Sequence, residues 1–136
     1  MIVTERPVRF EEVDAAGIVF FGRFFHYCHD AMERLFDGVP GGYVDLITRR
    51  RIGFPAVHVE ADYKAPLRYG DVARIETSVA KLGTTSCTFR YVFTRAKDGV
   101  HVATLEHVTV SSALDTMTKV PHPPDVRALL EEHLAP

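Results

Sequence analysis

Asp14 is the residue whose type and neighbours most favour chemistry. It stands at the end of a β-compatible stretch, seven residues before the predicted helix start, and is followed by Ala15-Ala16-Gly17 and the apolar run Ile18–Phe21. A carboxylate beside that much apolar surface is expected to be poorly solvated and therefore reactive. Two roles suit it: attack on a carbonyl as a nucleophile, or removal of a proton from water as a general base. The helix start near Phe21 and Gly22 offers free backbone N–H groups and the positive end of the helix dipole. Such donors polarise a carbonyl and stabilise a developing oxyanion; deleting one typically costs about 10²–10³ in turnover. The competing reading is that Asp14 only begins a turn, a common task for aspartate, and residue type alone favours that reading.

Other reactive residues are better explained structurally. His26, His29, Asp30 and Glu33 recur at three- and four-residue steps, so one helix face could offer metal ligands. A structural zinc site wants four ligands, often with thiolate, and Cys28 alone is near. Polar groups bordering a mostly buried helix account for them, and no metal is expected. Cys28 falls on the apolar stripe and reads as a packed thiol. His101 and His107 read as core histidines bonded to backbone. His58 projects from a strand beside the proposed site, and contact with the acyl group is the less favoured reading for it. No serine stands in a nucleophile elbow; Ser78, Ser86, Ser111 and Ser112 all lie in strand-like context.

The elements that must position Asp14 follow from periodicity. Val3–Val13 is β-compatible, and Gly17 can take a left-handed backbone in the turn that follows. Phe24, Phe25, Cys28, Ala31, Met32, Leu35 and Phe36 recur at helical spacing, which predicts a helix over Arg23–Asp37 stopped by Gly38. A weaker helix is predicted over Tyr43–Arg51. Beyond Gly53 the period changes to two: Val57, Val59, Ala61 and Tyr63 alternate with polar residues, as in a half-buried strand. Strands are predicted over Val72–Leu82, Thr85–Ala96 and Val100–Ala113, with a hairpin at Lys97-Asp98-Gly99. Pro124–Leu134 reads as a terminal helix with proline in its first turn. An antiparallel sheet curled around one long helix, an α+β arrangement, buries the apolar face of both.

The 136 residues suit one domain spanning the whole chain. With 46% hydrophobic and 25% charged residues, the composition excludes a disordered, collagen-like or disulfide-scaffold protein. A net charge of −2 argues against nucleic acid as a partner. No apolar run approaches the ~20 residues needed to cross a bilayer, so no membrane partner is expected. Met1–Pro7 lacks the basic start and apolar core of a secretory signal, and Cys28 and Cys87 show no redox spacing. A cytoplasmic location is the expectation.

The segment Val8–Phe21, with Asp14, Ala16-Gly17, the β-branched pair Ile18-Val19 and the aromatic Phe20, resembles the signature of the 4-hydroxybenzoyl-CoA thioesterase family, a hotdog-fold group. Phe54–Val57 and Ala65–Asp71 are similar to that family's second strand and its turn. The likeness runs over about residues 5–120, almost the whole chain. It implies a central helix wrapped by an antiparallel sheet and hydrolysis of an acyl-CoA thioester without metal or redox cofactor. It places the catalytic carboxylate on Asp14 and the carbonyl-polarising amide on Phe21. It places substrate contacts at Gly17, Ile18, Val19, Phe20, Phe25 and His58, and near Lys81, Thr84, Thr85 and Ser86. The frequent Asp-Pro-Ala-Gly of the family is Asp-Ala-Ala-Gly here. A basic cluster that some members use for the nucleotide is replaced by Leu82–Ser86, leaving Lys81, Arg90 or Arg49–Arg51 as candidates for the CoA phosphates. Phe25–Asp30 and Val57-His58 are reminiscent of dihydroxynaphthoyl-CoA thioesterases, which implies an aromatic acyl group. The alternatives are an aliphatic acyl-CoA or acyl carrier protein substrate, a hotdog dehydratase or isomerase, and a non-catalytic acyl-CoA binding protein. The resemblance also implies a homodimer or a dimer-of-dimers homotetramer, with Asp14 of one subunit near the helix start of the other.

Overall fold

A computed structural model describes residues 1–136. The helical stripe forms α1, Arg23–Leu35, which buries Phe24, Tyr27, Cys28, Ala31, Met32 and Leu35 and then tightens into a 3₁₀ turn over Phe36–Gly38. This tightening ends the regular helix two residues before the predicted Asp37. Gly38 is needed there for close approach, since a Cβ on it would come within 2.4 Å of Leu129.

The main sheet contains β1 (Ile2–Pro7), β3 (Ala56–Tyr63), β4 (Val72–Leu82), β5 (Ser86–Arg95) and β6 (His101–Val110). Its order is β1-β4-β5-β6-β3, antiparallel throughout. Along β4 and β5 every second residue turns inward, so Ala73, Ile75, Val79, Phe89, Tyr91 and Phe93 are buried against α1. Phe24 meets Phe93 at 5.2 Å between ring centroids, and Phe36 meets Phe89 at 6.2 Å. The remaining elements are α2 (Gly42–Thr48), α3 (Pro124–Glu132) and a small sheet of β2 (Ile52–Gly53), β7 (Ser112–Ala113) and β8 (Thr118–Lys119). Two-residue strands are too short to leave a periodic trace, and the sequence does not reveal them.

Two expectations about strands are corrected. The strand predicted over Val3–Val13 ends at Pro7, and Phe10–Glu12 forms a 3₁₀ turn instead, so Asp14 lies in a loop and not at a strand end. β3 is not half-buried. It pairs only with β6 and is the sheet edge; every residue but Ala61 is exposed, Val57 at 63% and Val59 at 48%. Its alternation is real, but nothing in this chain covers the face that the alternation prepares.

Candidate active site

The Asp14 turn is closed by backbone. Val13 bridges Val19, the Asp14 N–H donates to the Ile18 carbonyl, and the Gly17 N–H donates to the Asp14 carbonyl, both at 2.9 Å. Gly17 sits at φ +80°, the left-handed region that glycine enters without strain. The Ala16 N–H donates to Asp14 Oδ1 at 2.9 Å, an Asx turn, and Oδ2 accepts no bond within the chain. Asp14 thus does begin a turn, and it also presents a free carboxylate oxygen. The carboxylate is exposed in this chain, contrary to the expectation of poor solvation, because the apolar run after it faces partly outward.

Glu12 anchors this loop. It is 3% exposed and accepts from the Arg9 N–H at 2.7 Å, from the Tyr27 hydroxyl at 2.8 Å and from the Arg6 guanidinium at 2.8 Å. One buried carboxylate therefore ties the segment before Asp14 to both α1 and β1. Burial and the bond to Glu12 push the Tyr27 phenol far above its ordinary range, so it stays protonated and donating.

The other half of the site is the entry to α1. The Phe20 carbonyl accepts from the Arg23 N–H at 2.9 Å, which turns that oxygen toward the helix. In a trans peptide the N–H points opposite to the carbonyl, so the Phe21 N–H points away from the helix and has no partner in the chain. The next peptide is fixed by Tyr63, whose hydroxyl donates to the Phe21 carbonyl at 2.9 Å.

Asp14, Ile18, Val19, Phe21, Phe24, Tyr63 and Arg68 face one cavity of about 530 Å³, closed further by the Ala65–Leu67 turn. Asp14 and Phe21 of the same chain line this one cavity. Gly17 and Phe20 flank this lining in sequence without being part of it. Phe25, on the next face of α1, lines a second cavity of about 440 Å³ with Cys28, Met32, Phe54, Val59 and His107.

Other expected residues lie elsewhere. Strand alternation sends His58 to the opposite side of β3 from Val59 and Tyr63, where its Nε2 meets Glu60 at 2.9 Å. Lys81, Thr84, Thr85 and Ser86 surround the β4–β5 turn beside α3 and line neither cavity; the Thr84 carbonyl accepts from the His122 N–H at 3.1 Å. The phosphate candidates are mostly engaged: Arg49 pairs with Asp45, Arg50 with Asp125, Arg51 with Asp115 and Arg90 with Glu106. Asp30 pairs with Arg6, and His29 Nδ1 lies 3.6 Å from Glu33. His101 is exposed and not in the core, and bonds Thr104 Oγ1; His107 is half-buried and bonds the Tyr91 hydroxyl, so neither uses the backbone as expected.

Sequence reasoning missed Glu12, Tyr63 and Arg68 as parts of the site. Tyr63 carried a signal, as the last apolar member of the β3 alternation. Arg68 lies in the turn quoted for the family likeness, and its guanidinium makes no ion pair beside Asp14. A residue with a free carboxylate oxygen and a residue with an unpartnered N–H, lining one cavity, are the parts needed to hold and attack a carbonyl.

Comparison with known proteins identifies the fold and the family. Residues 8–130 match the model of the thioesterase-like superfamily. A 1,4-dihydroxy-2-naphthoyl-CoA hydrolase of Nostoc punctiforme is 30% identical over 116 residues, covering 85% of this chain and 78% of that protein. Among solved structures, a thioesterase superfamily protein of Jannaschia sp. CCS1 has a TM-score of 0.90 at 28% identity, covering 99% of this chain and 94% of that one. A gentisyl-coenzyme A thioesterase has a TM-score of 0.82 at 28% identity, covering 93% of this chain and 99% of that one. The curled sheet around α1 is the hotdog fold, and the chain belongs to the thioesterase-like superfamily.

Proposed function

We propose that the protein hydrolyses the thioester of an aromatic acyl-CoA to the free acid and CoA thiol. The observation that carries this reading is the shared cavity of the Asp14 carboxylate and the unpartnered Phe21 N–H. The thioester oxygen takes the Phe21 N–H, whose direction is set before substrate arrives. Negative charge growing on that oxygen meets a preorganised donor at the positive end of α1. Either the Asp14 carboxylate displaces the CoA thiolate to form an acyl-aspartyl anhydride that water then hydrolyses, or it removes the proton from a water that attacks the carbonyl. On both routes the C–S bond breaks and the thiolate takes up the proton that water gives. A backbone amide polarises the carbonyl, so no metal enters the scheme. The relatives named for hydroxylated aromatic acyl-CoA substrates support the choice of acyl group.

Arg68 on the cavity wall and Lys64 beside Tyr63 carry no carboxylate partner and are suited to the CoA phosphates. The dehydratase alternative wants a histidine facing the carboxylate, and none lines the Asp14 cavity.

The working unit in this reading is at least a homodimer joined along β3. That edge leaves backbone groups and apolar side chains uncovered, which a second copy satisfies across a two-fold axis. Antiparallel pairing of β3 with its copy sets the Ala56 end of one strand against the Tyr63 end of the other. Each Asp14 cavity then adjoins the second cavity of the neighbouring subunit.

The direct experiment is thiol release from a panel of benzoyl-, naphthoyl- and straight-chain acyl-CoAs, with acyl carrier protein esters included. Faster release from the aromatic CoA esters supports the reading; release confined to aliphatic or carrier-protein esters contradicts it.

A further inference from the structure

The second cavity has polar chemistry of its own, carried by His107 on β6. Most of its wall is apolar: Phe25 and Met32 from α1, and Phe54, Pro55, Ala56 and Val59 from the approach to β3 and the strand itself. His107 sits opposite Val59 in the β3–β6 register and stacks on Tyr91 and Phe89, with ring centroids at 5.5 and 5.3 Å. Its Nδ1 lies 3.0 Å from the hydroxyl of Tyr91.

The proton positions follow from satisfying each group. Tyr91 is fully buried, and His107 Nδ1 is the one partner of its hydroxyl. Burial pushes this phenol well above its ordinary pKa, so it keeps its proton. If Nδ1 also carried a proton, the buried phenolic hydrogen would have nowhere to go, at the full cost of an unmade bond. Tyr91 therefore donates and Nδ1 accepts. Burial also lowers the His107 pKa to about 4, so the imidazole is neutral and its single proton rests on Nε2. That Nε2–H makes no bond within the chain, and the residue faces the cavity. The cavity thus has aromatic and aliphatic walls, the exposed His29 ring at its margin beside Glu33, and in His107 an oriented donor in want of an acceptor.

Its place in the molecule suits the acyl end of a thioester. Phe25 lies in the first turn of α1, four residues after Phe21. The β3–β3 pairing brings the same cavity beside the neighbouring subunit's Asp14 site.

We propose that this cavity takes the ring of the acyl group and that His107, set by Tyr91, reads an oxygen substituent on that ring. The proposal rests on the thioesterase reading above and adds a preference within it: hydroxylated aryl-CoA over the plain aryl-CoA. A bare ring would leave the donor dry and unpaired, whereas a ring hydroxyl accepts from it.

The test compares kcat/KM for 2,5-dihydroxybenzoyl-CoA and benzoyl-CoA in the wild type, in Tyr91→Phe and in the double variant His107→Phe/Tyr91→Phe. The double change removes donor and partner together and keeps the aromatic stack, so no buried hydroxyl is orphaned. The expected result is a wild-type preference of about tenfold or more for the hydroxylated ester. In the double variant it should fall to within about twofold. Tyr91→Phe, which frees the imidazole to place its proton on either nitrogen, should give an intermediate ratio and serves if the double variant does not fold. Equal rates in the wild type, or a preference that survives in the variants, overturn the role of His107 and leave aromatic thioester hydrolysis standing. Hydrolysis of straight-chain acyl-CoA with neither benzoyl ester turned over overturns the aromatic reading and this inference together.

Discussion

The hydroxyl of Tyr63, the last residue of β3, donates to the carbonyl of Phe21 at 2.9 Å and so ties the sheet edge to the entry of α1. The peptide that follows the proposed oxyanion donor is held by a side chain remote in sequence. Tyr63→Phe keeps the ring against Phe24 and Phe21 and removes only this bond. The expected effect is a fall in kcat of about tenfold with KM little changed, because orientation matters most as charge develops. Steady-state kinetics on an aromatic acyl-CoA checks it.

Glu12 is the buried anchor of the Asp14 loop, with three donors converging on its carboxylate. Glu12→Ala orphans the Tyr27 hydroxyl and removes the charge facing Arg6. A loss of about 3 kcal/mol in stability is expected, read as a lower urea midpoint.

Much of this frame is legible in the sequence. The stripe from Phe24 to Leu35 could bury itself in only one way, and β4 to β6 are long enough for period two to stand out. Asp14, Gly17 and Phe21 are readable because turn chemistry and a helix start are local. Tyr63 reaching Phe21, Tyr27 reaching Glu12 and Tyr91 reaching His107 are not, since each joins elements through the tertiary fold. The false reading of β3 as half-buried has the same origin. Alternation records which face a strand prepares for burial and is silent on whether this chain or another copy covers it.

That uncovered edge gives a third prediction. Val57→Glu sets like charges close together on two paired β3 strands, and Val57 is 63% exposed, so folding of the single chain is unaffected. Light scattering should show a shift toward monomer, with hydrolysis falling in parallel across a dilution series. A monodisperse monomer of full specific activity would refute the shared edge.

His107 also predicts a pH dependence of stability. Its folded pKa is about 4 against an ordinary value of 6.5, so between these the unfolded chain binds more protons than the native one. Stability contributed here is complete above about pH 6.5 and is lost as pH falls toward 4. Denaturant midpoints measured across this window should decline in the wild type. The decline should be shallower in His107→Phe/Tyr91→Phe, leaving the weaker contribution of His133, whose pKa is lowered by burial and the nearby N-terminus, and, toward pH 4, that of the ion-paired carboxylates Asp71 and Asp125, which are held below their ordinary range.

The central claim is that the free oxygen of Asp14 performs the hydrolysis, and Asp14→Asn tests it most directly. Asparagine keeps an oxygen to accept from the Ala16 N–H, so the turn and the fold survive. It can act neither as a nucleophile nor as a base. Thiol release from 2,5-dihydroxybenzoyl-CoA by the folded variant should fall by about a thousandfold or more, with an unchanged melting temperature. Turnover near that of the wild type in the folded variant would contradict the account.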